Sequence, residues 1–305
     1  MKRVSLSLVV VVAAAAAVGA GANARASDGS ELTVAGVKRT FELFVPAGAP
    51  KKAPLLVVLH GRFGTGHQVR TASGFDAYAS KDGFVAAYPD GLDKKWFDAR
   101  QYTLKTKTPP VGSDDVGFIL ALVDDLVAKG LVDPARVYVV GHSNGAMMAL
   151  TLACTHADRF AGVGVVAGNL PSPNFPGAAC ELSRAVPAIF FQGTADPLIP
   201  FHGGGVGRDG ERGFVASADD TVKVFADKAG CGPGQKRAPV DAVKSDGTTL
   251  VIEDRAGCTV PIARAILQEG GHGWPGRPSS RLLRSSQEID ATDAIARFFF
   301  EGKAP

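Results

Sequence analysis

The chain has 305 residues, 46% of them hydrophobic and 21% charged, with a formal net charge of +3. Lys2, Arg3 and Arg25 fall in residues 1–26, which hold no acid, so residues 27–305 carry 30 basic and 30 acidic side chains. That balance argues against nucleic acid or an anionic membrane as a partner, and the length suits one domain with a sizeable core.

The chain opens Met1-Lys2-Arg3, runs uncharged from Val4 to Ala22, and continues Ala22-Asn23-Ala24-Arg25-Ala26. A basic start, an apolar core and a small-residue exit describe a secretory leader. We place the cut after Ala26, with Ala24 as the alternative. A retained membrane anchor is the rival, disfavoured by the alanine-rich run and its small-residue end. The expected organisation is a leader over 1–26 and a single catalytic domain over 27–305, with no membrane attachment once the leader is removed.

Lys38 to Val45 alternates and reads as an outer strand. Leu55–Leu59 and Phe84–Tyr88 are apolar runs, as expected for strands buried on both faces. Ser113 can cap a helix with Val116, Ile119, Leu120, Val123 and Val127 at helical spacing. Val137–Val140 reads as a strand, Gly141–Gly145 as a sharp turn and Asn144 to about Ala157 as a helix. Val163–Val166, Ala188–Phe191 and Ala263–Leu267 give three more strands. Ser285 and Glu288 form a capping-box pattern before a last helix with Ile289, Ile295, Phe298 and Phe299 facing inward. Strands alternating with helices predict an α/β domain with a doubly wound, mostly parallel sheet. Two irregular stretches, Phe97–Gly112 and Gly168–Pro187, leave the carboxyl side of predicted strands, where ligands bind in such sheets.

The turn at 141–145 spells G-x-S-x-G between a strand and a helix. Serine at its apex is held on a tight corner with its hydroxyl in the open, and the flanking glycines avoid clashes with facing backbone. Ser143 is therefore the candidate nucleophile. It needs a histidine to take its proton and an acid to orient that histidine, in the chain order Ser, Asp or Glu, His. Of six histidines, His60, His67 and His142 precede the serine and His156 lies on the elbow helix. His202 reads as a loop or substrate-facing residue. His272, in Glu269-Gly-Gly-His-Gly-Trp-Pro-Gly276 after the last strand, is the candidate base. Asp196, in Gly193-Thr-Ala-Asp-Pro197, is the candidate acid, ahead of Asp219 and Asp220, which open a helix; an Asp-Pro turn residue is its bland alternative.

A tetrahedral intermediate needs backbone donors. The Asn144 amide is one candidate; the other is Arg62, with Phe63 second, in the loop Leu59-His-Gly-Arg-Phe-Gly64. His60 is expected to brace that loop. Trp274 and Trp96 are candidate walls of a substrate cleft, or ordinary loop packing. Cys154, Cys180, Cys231 and Cys258 suggest two disulfides in an exported chain. Three pairings are open; the two local ones are preferred, each expected to staple a loop beside the active-site face. No cofactor or metal is called for.

Tyr88-Pro-Asp-Gly91, Asp114-Asp-Val-Gly-Phe118, Gly141-His-Ser-Asn-Gly-Ala-Met-Met148, Gly193-Thr-Ala-Asp-Pro197 and Gly270-Gly-His-Gly-Trp-Pro-Gly276 together resemble the polyhydroxybutyrate-depolymerase and feruloyl-esterase group of secreted α/β hydrolases, over roughly residues 38–300. The resemblance implies the α/β-hydrolase fold, a Ser143–Asp196–His272 triad and the pairs Cys154–Cys180 and Cys231–Cys258. It implies a serine carboxylic-ester hydrolase acting on a small or polymeric ester, namely a hydroxycinnamate, a polysaccharide acetyl group or a 3-hydroxyacyl oligomer. Extracellular polyester depolymerases of this group commonly place a cysteine where Arg62 stands. They often add a linker and a polymer-binding domain, which are not in this sequence. Further cysteines in the segment matching 97–112 are common among relatives and missing here. A peptidase and a non-catalytic binding protein on the same scaffold are the rival readings.

Overall fold

The computed structural model describes residues 25–100, 114–175, 178–278 and 284–305. Residues 1–24 of the leader, and Ser113 as a helix cap, lie outside the described residues. In chain order the strands are β1 (Arg25–Val34), β2 (Val37–Val45), β3 (Ala53–Leu59), β4 (Val85–Pro89), β5 (Val132–His142), β6 (Gly162–Val166), β7 (Ala188–Gly193), β8 (Gly204–Gly205), β9 (Phe214–Val215), β10 (Gln235–Lys236), β11 (Thr249–Asp254) and β12 (Ile262–Gln268). The α-helices are α1 (Gly66–Ser73), α2 (Phe75–Asp82), α3 (Asp115–Ala128), α4 (Asn144–Thr155), α5 (Ala218–Lys228) and α6 (Ala291–Ala296).

One ten-stranded sheet runs in the order β1-β2-β4-β3-β5-β6-β7-β12-β11-β10. From β4 to β12 every neighbour is parallel. Antiparallel strands close both edges, β2 and β1 at one and β11 and β10 at the other. The pleat divides the core in two. Leu55, Val57 and Leu59 of β3 join α3, α4 and α5 through Phe118, Met148 and Phe225. Leu56 and Val58 face α1, α2 and α6 through Val69, Phe75 and Ile295. Helices therefore cover both faces, and the carboxyl edge of the parallel strands is left to loops.

Three expectations change. On α3 the buried positions are Asp115, Phe118, Ile119, Leu122, Val123 and Leu126, whereas Val116, Leu120 and Val127 are only half-buried. A helix apolar on more than one face does not reveal by periodicity which stripe meets the sheet; its described cap is Asp114, which accepts from the Gly117 amide at 2.7 Å. Ser285 and Glu288 do not cap the last helix. Asp290 does, accepting from the amides of Thr292 and Asp293 at 2.8 and 3.2 Å. Ser285 instead donates to the Trp274 carbonyl, and Glu288 accepts from the amides of Ala242 and Val243.

The third concerns the disulfides. Cys154 pairs with Cys180 and Cys231 with Cys258, but neither staples the carboxyl edge. Cys154 is in the last turn of α4, about 15 Å along the axis from its start at ~1.5 Å per residue. Cys258 sits in the turn that feeds the amino end of β12. Helices antiparallel to the strands carry their carboxyl ends, and these cysteines, toward the opposite edge.

Candidate active site

Ser143 leaves β5 with φ 56° and ψ −120°, a conformation that L residues rarely adopt and that, at a cost on the order of 1–3 kcal/mol, persists only where its surroundings enforce it. They do. A Cβ on Gly141 would meet the Gly145 backbone at 2.2 Å, and one on Gly145 would meet the Leu59 carbonyl oxygen at 2.3 Å. The Ser143 amide donates to Val166 O at the end of β6, at 2.9 Å. The corner is thus pinned between β3 and β6, the strands that flank β5.

Asp196 follows β7 and His272 follows β12, adjacent parallel strands. His272 Nδ1 donates to Asp196 Oδ2 at 2.7 Å, with both side chains only 3% exposed. Asp196 Oδ1 accepts from the amides of Leu198 and Ile199 at 2.8 and 2.9 Å. The turn-type bonding of an Asp-Pro sequence and the orienting role are therefore one arrangement: the turn fixes one oxygen and leaves the other for the imidazole. The glycines around His272 tighten the loop rather than loosen it. Ala195 N donates to Gly270 O at 3.0 Å, and a Cβ on Gly193 would lie 2.3 Å from that same oxygen.

The loop after β3 comes up against the elbow: a Cβ on Gly61 would sit 3.3 Å from Ser143 Cβ. The Phe63 amide donates to Lys94 O at 2.7 Å, which removes it as an oxyanion donor and leaves Arg62 as the candidate. His60 braces the loop. It accepts from the Gly91 amide at Nε2 (2.9 Å), so its proton sits on Nδ1, which donates to Gly61 O (2.7 Å). Burial pushes its pKa below the usual imidazole value, against the opposing Gly61 contact and Asp90 charge.

Asn144, Trp96 and Asp98 form a buried network. Asn144 Oδ1 accepts from Trp96 N at 2.7 Å, and its Nδ2 donates to Trp96 O at 2.9 Å and Asp98 Oδ2 at 2.6 Å. Arg100 grips both oxygens of Asp98, and Trp96 Nε1 donates to His60 O at 2.8 Å. The Phe97 amide donates to Asp115, which is paired with buried Arg39 at 2.6 Å. Burial raises the Asp115 pKa, countered by the Phe97 amide and Arg39. Sequence reasoning singled out Trp96 and the Asn144 amide as candidates but not Asp98, Arg100 or the Asn144 side chain; the Asn144–Asp98 bond joins positions 46 apart.

His142 was also missed. Its Nε2 donates to the main-chain carbonyl of His272 at 2.7 Å, with the two rings 5.0 Å apart. Burial, then the neighbouring His272, lowers its pKa to about 4, so it is a neutral brace for the loop that carries His272. Its place beside Ser143 in the motif was the available signal.

Ser143, Asn144 and His272 open into one cavity of about 1120 Å³, together with Arg62, Trp96 and Trp274. Both tryptophans also have structural bonds, Trp274 Nε1 donating to Thr292 Oγ1 at 3.0 Å. Among the described residues no cluster of three or more His, Cys, Asp or Glu side chains could hold a metal ion, and no helix is long and apolar enough to cross a membrane. His202 and His156 lie away from this cavity's lining.

Residues 39–181 match the family model described as esterase PHB depolymerase. NocK of Nocardia uniformis subsp. tsuyamanensis, designated an esterase, is 34% identical over 89% of this chain and 82% of its own length. Feruloyl esterase C of Emericella nidulans is 28% identical over 86% of this chain and 83% of its own. Among solved structures, LpqC, a poly(3-hydroxybutyrate) depolymerase of Bordetella parapertussis, superposes with a TM-score of 0.55 at 16% identity, over 91% of each chain. That last likeness speaks for the fold, and the sequence relatives for the chemistry. The chain belongs to the esterase PHB depolymerase family and is a carboxylic-ester hydrolase of the α/β-hydrolase fold.

Proposed function

We propose that the chain is a secreted serine esterase in which Ser143, His272 and Asp196 form the catalytic triad. The observation that carries this is the buried Asp196–His272 pair, whose imidazole lines one cavity with the strained elbow serine. With Nδ1 donating to Asp196, His272 presents an unprotonated Nε2. Ser143 Oγ attacks the ester carbonyl and its proton passes to Nε2. The carbonyl oxygen takes the negative charge and is held by the Arg62 and Asn144 amides, the latter at the positive end of α4. Collapse breaks the C–O bond, and His272 returns its proton to the leaving alcohol. Water then repeats the sequence on the acyl-enzyme, releasing the acid and regenerating Ser143. Asp196 stays ionised and stabilises the imidazolium.

The substrate class follows the family and its named relatives: a hydroxycinnamate ester, as feruloyl esterase C suggests, or a 3-hydroxyacyl ester, as the description of the family model suggests. An acetylated polysaccharide is the third candidate, supported by an acetylxylan esterase of Coprinopsis cinerea that is 31% identical over 47% of this chain and 40% of its own. Two disulfides fit an oxidising, exported location, with a leader over 1–26 and one catalytic domain over 27–305.

The test is hydrolysis of p-nitrophenyl acetate and butyrate, methyl ferulate and suspended polyhydroxybutyrate by the purified protein and by Ser143→Ala. We expect kcat in the variant to fall by about 10⁶-fold, with the preferred ester naming the substrate class. Turnover that survives Ser143→Ala would sink the mechanism.

A further inference from the structure

The cavity lining holds five cationic side chains, Arg62, Lys95, Arg100, Arg212 and Arg277, against two carboxylates, Asp98 and Glu211. Four of the five cations have a carboxylate partner. Lys95 lies 3.5 Å from Asp93, Arg100 2.7 Å from Asp98, Arg212 3.4 Å from Glu211 and Arg277 3.5 Å from Asp290. Among the described residues Arg62 has none; its guanidinium stands 5.2 Å from the centroid of the exposed Phe63 ring.

Its surroundings are electropositive. Burial, then the charges of Arg212 and Arg100, push the Arg62 pKa down; Asp98 and Glu211 oppose this and rank below both arginines. Asp98 is already held by Arg100 and Asn144. Three guanidinium groups thus act on one region of a cavity with one of them uncompensated, an arrangement that an incoming anion relieves.

The position of Arg62 gives that anion a role. It lies in the loop packed against Ser143, and its amide is the candidate oxyanion donor. A group bound by its side chain is therefore within one side-chain length of the scissile carbonyl. A planar guanidinium beside an aromatic face matches a carboxylate, which it can hold through two parallel hydrogen bonds.

We propose that Arg62 selects esters that carry a free carboxylate near the scissile bond, the class that includes the acid ends of short hydroxyacid oligoesters, over neutral esters. The inference rests on the esterase mechanism above and narrows its substrate. Neutral polyester surfaces offer Arg62 nothing, so soluble acid-ended fragments are the better fit.

The experiment uses two matched pairs differing only in charge. One has the anion on the acyl side, p-nitrophenyl glutarate against p-nitrophenyl glutaramate. The other has it on the alcohol side, 3-butyryloxybutanoate against 3-butyryloxybutanamide. For each pair the acid-to-amide ratio of kcat/KM is read in the parent protein, Arg62→Gln and Arg62→Lys. Both variants keep the main-chain amide, and the ratio cancels any general loss of activity. We expect at least one pair to favour the acid by about tenfold, mainly through KM. That preference should vanish in Arg62→Gln and partly return in Arg62→Lys. Ratios equal in the parent and Arg62→Gln for both pairs would overturn the proposal while leaving the esterase mechanism standing. No turnover of any of the four compounds would instead overturn that mechanism, and this inference with it.

Discussion

The two edges of the sheet are built differently. At the carboxyl edge, Ser143, Asp196 and His272 leave three strands and are fixed by short main-chain hydrogen bonds and by glycines that let backbone approach backbone. Toward the amino edge the loops are tied covalently, by Cys154–Cys180 and Cys231–Cys258. Hydrogen bonds to main chain place an atom within tenths of an ångström and say little about global stability. A disulfide acts mainly by restricting the unfolded chain, so its contribution falls on stability. Damage at one edge should therefore appear in the rate, and damage at the other in stability.

After Ser143→Ala, the largest effect expected at the carboxyl edge comes from Asp196→Asn. The asparagine oxygen can still accept from the Leu198 and Ile199 amides, so the turn survives. Its NH₂ group then faces His272 Nδ1, which must become the acceptor, and the proton moves to Nε2, where the base is needed. We expect kcat to fall by about 10⁴-fold with little change in melting temperature. A variant that loses rate only in step with its folded fraction would show that Asp196 is a structural turn residue and nothing more.

The counterpart at the other edge is Cys231→Ser with Cys258→Ser. The bridge spans 27 residues of sequence, for which chain-entropy arguments give about 3.5 kcal/mol. We expect that loss in denaturant unfolding, with kcat/KM at 25 °C within about a factor of two, since ΔΔG below the total stability leaves the protein folded. A large drop in kcat with folding intact would mean that the two edges are coupled through β12, which runs from Cys258 toward His272.

What could be read beforehand divides along similar physical lines. The elbow was legible because its glycines answer a steric demand encoded within five residues. Asp196 and His272 were legible because the chemistry admits few residue types and each follows an apolar strand. The Asn144–Asp98 bond links positions 46 apart and the His142–His272 bond positions 130 apart; no local pattern reports such contacts. Of the antiparallel strands, Lys38–Val45 was legible from its alternation, whereas Thr249–Asp254 was missed: it lies outside the parallel strands, between β12 and the two-residue β10, and mixes Leu250, Val251 and Ile252 with two acids. The eight-residue helices α1 and α2 are too short for a clear 3.6-residue period. The Ser285-Glu288 pattern misled because both side chains bond to distant main chain, and Asp290 supplied the cap two residues on.

His142 is where the division between rate and stability should fail. It sits at the carboxyl edge beside Ser143, yet it is a half-buried imidazole with a pKa lowered to about 4, first by burial and then by His272. In the unfolded chain its pKa is ~6.5. The unfolded state therefore binds a proton that the folded state refuses between these values. Stability from this group is intact above about pH 6.5, falls as pH drops toward about 4, and levels off below. The linkage amounts to about 3 kcal/mol at most, with His60 adding in the same direction because burial lowers its pKa too. His142→Gln keeps a nitrogen donor for the His272 carbonyl but cannot titrate. Unfolding free energies measured from pH 7.5 to 4 should fall less steeply in this variant, although the substitution is next to Ser143. Equal slopes in parent and variant would mean that His142 is solvated enough to protonate without cost, and that the brace on His272 is weaker than its 2.7 Å bond implies.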